Sequence, residues 1–437
     1  LIISLGLYLI TNLQWYNYKL DRVIFKHHKW QWHITYFLSP IVLFYIIPEP
    51  YFAIYFFLVF LTSFVLWNKK LDRGLVLTSR VKRFLVILLL SAFAVISLCL
   101  SNPNCTNLFI FTPLLLAYIF STLLEKLFFI SFKNKGKKRV KSIKDLKIVE
   151  ITASFGKTSI KNYLYHILKN KYKVYKTPRS VNTIAGIVLD VNKDLPADTQ
   201  IYIAEAGARV KGDIEEITMF LEPQICVIGS VGEQHIEYFK TLENIINTKM
   251  EILKSPNMKM GFVHESVPIS NSQNITKFPN SLHIVKSNLD GIWFDVEVGG
   301  NIEHFYAPIL GSFNAINLTA VILVAHYLGM DILEIKAALT TLPQVEHRLQ
   351  KIEANGKIIV DDSFNGNLEG MLEAVNICSS YEGRKVIITP GLVESTDEAN
   401  ILLAKAIDEN FDYVILTGGL NTQLLKANIN ENKVYIL

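Results

Sequence analysis

Gly156, Lys157, Thr158 and Ser159 follow a short apolar run, Leu146–Thr152, and open a segment whose apolar residues recur at helical spacing. Strand, small-residue turn, lysine, hydroxyl and helix, in that order, suit a polyphosphate. Backbone N–H groups of Ser154, Phe155 and Gly156 and the helix N-terminus would face the anion. Lys157 would reach the outer phosphates, and Thr158 and Ser159 would offer hydroxyls to Mg²⁺ and phosphate. The stretch Val149–Tyr163 departs from the strict pattern G-x-x-x-x-G-K-[ST], because Ile151 stands at the first glycine. A second candidate is Glu205, at the end of the strand-like Gln200–Ala204. A carboxylate at the C-terminal end of a strand in the same sheet can hold Mg²⁺ directly or through water. Read alone, it is better explained as a solvated turn residue. His235 and Lys249 follow another apolar run, Gln224–Gly229, and their spacing alone separates neither of them from ordinary surface or core residues.

These groups need a scaffold. The 437-residue chain has room for two or three domains, is half hydrophobic and carries a net charge of only +5. Its apolar residues concentrate before Phe132. Five segments near Leu1–Trp15, Trp32–Ile47, Tyr51–Trp67, Phe84–Leu100 and Leu108–Ile130 are expected to span a membrane, which takes roughly 20 apolar residues each. The loops Lys19–Lys29, Lys69–Arg83 and Lys133–Lys144 are basic, whereas Pro48–Pro50 and Ser101–Asn107 are not. The positive-inside rule then places the basic loops in the cytoplasm and the N-terminus outside. Intramembrane charges are too few for a pump. The basic excess points to lipid headgroups and topology, with no nucleic-acid partner. Four scattered cysteines, Cys99, Cys105, Cys226 and Cys378, predict neither a metal-thiolate site nor a disulfide framework. The expected divisions are a membrane region at 1–132, a basic linker at 133–144, a nucleotide-binding domain at 145–344 and a third domain at 345–437. From 145 on, strand and helix patterns alternate, which predicts a largely parallel sheet with helices on both faces. Both chain ends read as trimmed.

The run from Gly232 through Ile252, G-E-x-H-x-E-x-F followed by L-E-N-I and K-x-E-I, resembles the Mur ligases, ATP-dependent amide-forming enzymes of peptidoglycan synthesis. The loop Ala153–Ser159 is similar to their G-x-x-G-K-T/S element, with Ala153 at the first glycine. Gly311–Asn317 looks like G-x-H-N-x-x-N, with Phe313 at the histidine. Glu346-His347-Arg348 resembles the arginine element that begins the family's third domain. Asp361–Asn367 (DDSFNGN) is similar to the D-D-S-Y-N-A-N element of the D-alanyl-D-alanine-adding branch.

The resemblance implies a fold, a site and a reaction. The fold is an N-terminal α-helical transmembrane bundle followed by α/β: a central P-loop ATPase domain and a smaller Rossmann-like C-terminal domain. Lys157 and the loop would bind ATP, and Thr158 with Glu205 one Mg²⁺. His235 and a carbamylated Lys249 would bind a second Mg²⁺. Asn317 and Asn314 would face the adenine, Asp362 the ribose, and Arg348 the γ-phosphate on domain closure. The implied substrates are UDP-N-acetylmuramoyl-tripeptide and D-alanyl-D-alanine, joined through an acyl phosphate. The chain would be a multi-pass protein of the inner (cytoplasmic) membrane, with its ligase domains in the cytoplasm and other cell-wall enzymes as partners. The family's UDP-gripping N-terminal domain has no counterpart before residue 147, and the third domain reads as truncated. A poly-γ-glutamate synthase and a non-catalytic membrane scaffold are the alternatives.

Overall fold

A computed structural model describes residues 1–101, 107–232, 236–270, 272–363, 366–393 and 395–437. His235, Phe364 and Asn365 fall outside the described residues. The chain divides into two compact units, Leu1–Phe132 and Lys133–Leu437.

Unit one is helical. Three helices are long and apolar enough to cross a bilayer, Glu49–Lys69, Ser79–Ser101 and Phe109–Ser142, the last running on into the second unit. Leu90, Phe93, Leu98 and Leu100 project from Ser79–Ser101 with their side chains exposed, a surface that lipid accepts and water does not. Arg83 Nε donates to Glu125 Oε1 at 2.7 Å, pairing a carboxylate in an apolar stretch with a cation. The first two expected spans fall short of the roughly 20 residues that a crossing takes. Ile2–Trp15 has 14 residues, and the second is built from Gln31–His33, Ile34–Leu38 and Ser39–Ile46 in succession. Pro48 starts a new helix immediately after it, which limits its length. A second correction concerns sulfur. Cys226 and Cys378 are free, but Cys99 is disulfide-bonded. It lies at the end of the Ser79–Ser101 helix, next to the uncharged loop assigned to the outside, where thiols oxidise.

Unit two opens with the basic stretch expected to be a linker on lipid headgroups. Its residues are instead the last turns of a helix, Thr112–Ser142, bound to an acidic neighbour. Lys133 Nζ lies 2.7 Å from Glu216 and Lys137 Nζ 2.6 Å from Glu222, and Arg139 donates to the Leu195 carbonyl at 2.6 Å. The opposing helix, Asp213–Leu221, supplies the charge, and Gly136 lets Asn192 and Phe220 come close.

Next comes a six-stranded parallel sheet: β1 Lys147–Thr152, β2 Val174–Lys176, β3 Ile201–Glu205, β4 Ile225–Ile228, β5 Met260–His264 and β6 Ile275–Phe278, in the order β2-β3-β1-β4-β5-β6. Its central strands are mostly apolar, Glu150 of β1 excepted, because helices cover both faces. Val149 and Ile151 of β1 enter the main core with Ile160, Leu164 and Ile167 of the helix Lys157–Leu168 and with Leu318 and Val321 of the helix Phe313–Tyr327. β1 lies between β3 and β4, so the chain reverses its direction of travel across the sheet there. The crevice at the C-terminal ends of β1, β3 and β4 is thus a switch point, the place where open α/β sheets bind ligands.

An antiparallel meander, absent from the sequence reading, follows: β7 Leu282–Asn288, β8 Gly291–Val298 and β9 Asn301–Ala307. Ile292, Phe294, Val296 and Val298 point inward and join the same core. Beyond the helix Ile332–Leu339, a hairpin of β10 Gln350–Ala354 and β11 Lys357–Asp361 precedes a three-stranded parallel sheet, β12 Val386–Thr389, β13 Tyr413–Leu416 and β14 Val434–Ile436. The helices Leu368–Ser379 and Asp397–Asn410 share a core of their own with it, built on Val375, Leu403, Ile407 and Val414.

Candidate nucleotide and metal site

The loop after β1 turns at Gly156, whose φ of 82° is left-handed, and the helix Lys157–Leu168 starts there. Glycine adopts this conformation without strain. A Cβ at Gly156 would also strike the side-chain amide of Asn317, so Asn317 borders the loop itself. Ala153, at the family's first glycine, keeps an ordinary φ and is fully buried. Its methyl faces Gly229 at the end of β4, where a second Cβ would approach to 2.9 Å.

The amides of Ser154 and Phe155 donate to the Ser230 carbonyl at 2.8 and 3.3 Å, and Ser154 Oγ donates to the Gly232 carbonyl at 3.0 Å. These contacts tie the loop to the end of β4. Lys157 Nζ folds back onto the Ala153 and Ser154 carbonyls at 2.6 and 3.0 Å. Burial pulls its pKa down to about 8, with Glu205 opposing and Arg348 assisting.

Glu205 ends β3 with its carboxylate directed at the loop. Thr158 Oγ1 donates to Oε2 at 3.1 Å, and Asn182 Nδ2 stands 3.4 Å from Oε1. Lys161 Nζ lies 3.0 Å from Oε2, both side chains almost wholly buried. Sequence reasoning missed Lys161 and Asn182. A lysine one turn beyond a phosphate loop could have been noticed by its i+3 spacing from Thr158.

Lys249 sits near the end of the helix Leu242–Met250, 4 % exposed. Burial and then Lys157 lower its pKa to about 7, against the opposing fields of Glu251 and Glu205. Glu251 is fixed in turn, accepting from the Gly212 and Glu215 amides at 2.7 and 3.1 Å at the start of the helix Asp213–Leu221. Negative charge is stabilised at such a helix terminus.

Arg348 lies within the electrostatic reach of Glu205, Asp362 and Lys157. Its neighbours His347 and Leu349 both have left-handed backbones, φ 60° and 51°, a conformation that costs energy for bulky residues. Leu349 is held there by its burial against Leu310 and Ile377, and by its amide, which donates to Asp362 Oδ1 at 3.0 Å. Asp362 thus spends one oxygen on the backbone beside Arg348. Burial raises its pKa, against the opposing field of Arg348.

Two expected residues serve the core instead. Asn314 is buried with both ends of its amide engaged: Nδ2 donates to the Leu310 carbonyl at 2.7 Å, and Oδ1 accepts from Tyr163 at 3.2 Å. Ser159 is likewise buried, in the first turn of the helix Lys157–Leu168. A cavity of about 460 Å³ lies elsewhere, at the opposite ends of β1 and β4 beside Ile148 and Gln224.

Residues 151–325 match the model of the Mur ligase middle domain. Over that stretch the second unit is similar to the Mur ligases. The chain is 27 % identical over 311 residues to the UDP-N-acetylmuramoyl-tripeptide–D-alanyl-D-alanine ligase of Borreliella burgdorferi, covering 66 % of this chain and 65 % of that protein. The ligase of the same name from Bacillus subtilis is 27 % identical over 265 residues, 57 % of each chain. The chain therefore spans less than two thirds of the length of these relatives. A crystal structure of the MurF ligase of Thermotoga maritima in complex with ADP superposes with a TM-score of 0.60 at 23 % identity, over 70 % of this chain and 74 % of that one. That likeness concerns the Mur ligase fold. The stretch that matches the family model carries Gly156, Lys157, Thr158, Glu205 and Lys249.

Proposed function

We propose that this chain is an ATP-dependent ligase that joins D-alanyl-D-alanine to UDP-N-acetylmuramoyl-tripeptide, the reaction named for its relatives. The observation that carries the reading is the meeting of Lys157, Thr158, Glu205, Lys249 and Arg348 at one switch point of the sheet. Amide formation from a carboxylate is uphill in water and needs an activated acyl group. Transfer of the γ-phosphoryl group to the tripeptide carboxylate supplies one as an acyl phosphate. The amine of D-alanyl-D-alanine then attacks, and phosphate leaves. Positioning and charge neutralisation are the protein's share of this chemistry.

The donor set suits Mg²⁺. Thr158 and Glu205 offer hard oxygens at hydrogen-bonding distance from one another, and Lys249 gains two more if its amine takes up CO₂. Two such ions would neutralise the phosphate oxygens, held by Thr158 with Glu205 and by carbamylated Lys249 with His235. Lys157, released from its two loop carbonyls, would bind the outer phosphates. Arg348 would stabilise the equatorial oxygens in transfer, with Asp362 directed at the ribose and Asn317 at the adenine side of the loop.

The apolar helices are proposed to hold the ligase at the cytoplasmic membrane, basic loops inward. The oxidised Cys99 supports an outward position for the loop after Ser79–Ser101. Such an anchor suits either a soluble or a lipid-linked acceptor and contact with other cell-wall enzymes. The test is phosphate release by the detergent-purified chain with ATP, Mg²⁺, the UDP-linked tripeptide and D-alanyl-D-alanine, with glutamate as comparison. Release that needs both cell-wall substrates supports the reading. ATP binding without release on either set counts against these substrates.

A further inference from the structure

Lys161 has no role in the reaction described above, yet it is among the most deeply buried charges in the protein, 1 % exposed. Three residues after Thr158, it shares that residue's face of the helix. Its Nζ lies 3.0 Å from Glu205 Oε2 and also donates to the Arg179 carbonyl, which fixes the ammonium from two sides. Thr158 Oγ1 donates to the same Oε2 at 3.1 Å, while among the described residues Oε1 has only Asn182 Nδ2 at 3.4 Å. The two carboxylate oxygens are therefore unequal. One is claimed by an ammonium and a hydroxyl, and the other is almost open.

We propose that Lys161 is a positioning residue that sets the cation preference of the site. With Oε2 occupied, Glu205 offers a cation a single oxygen. Mg²⁺, small and octahedral, is served by one carboxylate oxygen and keeps its waters; Ca²⁺ takes more ligands and favours carboxylates that bind through both oxygens. Lys161 therefore works against Ca²⁺. Its charge also repels any dication near Glu205, so the site holds Mg²⁺ less tightly than the bare carboxylate would. Stability gives little reason for such a pair, since apolar replacements of buried ion pairs are often as stable. The proposal rests on the reading of Glu205 as a metal-binding carboxylate.

It predicts an unusual combination. Lys161→Met leaves Oε2 with only the Thr158 hydroxyl, which can turn to a cation, and removes the repulsion, so divalent cations bind more tightly while turnover falls. Loss of structure alone would weaken both. The experiment uses the full chain in detergent with ADP and follows the thermal midpoint as Mg²⁺ or Ca²⁺ is titrated, alongside phosphate release. In wild type Mg²⁺ saturates at lower concentration than Ca²⁺. In Lys161→Met the ratio of the two half-saturating concentrations shifts towards Ca²⁺ by about tenfold, as expected for a carboxylate freed to bind through both oxygens. Lys161→Gln keeps a donor without the charge. It retains the Mg²⁺ preference but binds both ions more tightly, and it carries the test if the methionine variant does not fold. Unchanged ion preference and affinity in a folded variant would overturn the proposal. A wild-type chain that shifts with Mg²⁺ and ADP but joins no peptide refutes the substrate assignment alone. No metal-dependent shift in wild type refutes both.

Discussion

Replacing Lys249 by alanine tests the charge arrangement most directly. Only the neutral amine attacks CO₂, so the fraction of neutral lysine limits how readily a carbamate forms. An ordinary lysine of pKa 10.4 is neutral about once in 2,500 at pH 7. Burial, aided by Lys157, brings Lys249 to about 7, where about half of it is neutral. The site thus gains roughly a thousandfold in reactive amine over a surface lysine. Carbamylation also turns a cation beside Lys157 into an anion, which relieves the repulsion that lowers the pKa. Lys249→Ala is expected to cost roughly 10²–10³ in turnover, the usual scale for one electrostatic group in a reaction of this type. Formate or acetate, filling the space left, should restore part of it. Wild-type activity in bicarbonate buffer should rise through pH 7 with the neutral fraction and then level, whereas the formate-rescued variant should lack that rise. Phosphate release gives the rate, and ¹³C NMR with labelled bicarbonate reports the carbamate. Wild-type turnover indifferent to CO₂, together with no rescue of the alanine variant, would refute the reasoning.

Gly156→Ala places a side chain at φ 82° against the Asn317 amide, a backbone cost of about 1–2 kcal/mol before the collision; ADP binding measured by calorimetry should fall by at least tenfold, in keeping with about 1.4 kcal/mol per decade. Glu150, fully buried in β1, accepts from Thr218 at 3.0 Å, its Oε2 has no partner among the described residues, and burial pushes its pKa up to about 8. The folded state then keeps a proton that the unfolded chain, of pKa about 4.3, has lost, so wild-type stability falls as pH rises from about 4 to 8. Glu150→Gln should be more stable than wild type by roughly 1–3 kcal/mol at pH 8 in denaturant titrations, with the gap closing towards pH 5; a gap independent of pH would contradict the buried acid. Ala153→Gly should leave ADP affinity nearly unchanged and lower stability by about 1 kcal/mol, because the alanine already has an ordinary backbone and fills space beside Gly229.

Much of the site could be read from the sequence because its parts are local. The loop needs consecutive residues, and the flanking strand Lys147–Thr152 is buried on both faces, so apolar character runs through it without alternation. Glu205 and Lys249 were legible only through the resemblance of the segments around them to the Mur ligases, since a lone carboxylate or lysine after a strand is usually solvated. Lys161 could not be read this way. Its burial depends on the end of β3 and on the Arg179 carbonyl, two partners remote in the chain. The stretch 133–142 resembled a linker because glycine and repeated lysines usually avoid packed structure. Its order comes from Glu216 and Glu222, which only the tertiary fold brings near. The meander β7–β9 is different, since its signals were local and available. Ile292, Phe294, Val296 and Val298 alternate with outward residues, and Gly299-Gly300, both of positive φ, join β8 to β9. Two glycines between alternating runs mark a two-residue hairpin, and the expectation of continuous strand–helix alternation obscured it.

Two departures from the family pattern, Ala153 and Phe313, have packing explanations. A glycine at the first position of the phosphate loop provides backbone freedom, or room, or both. Ala153 shows that freedom is not needed here, because its φ is ordinary. Room is provided from the other side by Gly229, which carries no Cβ where Ala153 carries one. Phe313, standing at the family's histidine, lies against Gly311, whose φ of 91° and missing side chain leave the ring its place. Each bulky substitution thus faces a glycine, and neither side chain blocks the groups around Glu205. Both departures are therefore compatible with the ligase reading proposed above, because neither leaves a packing conflict beside the loop.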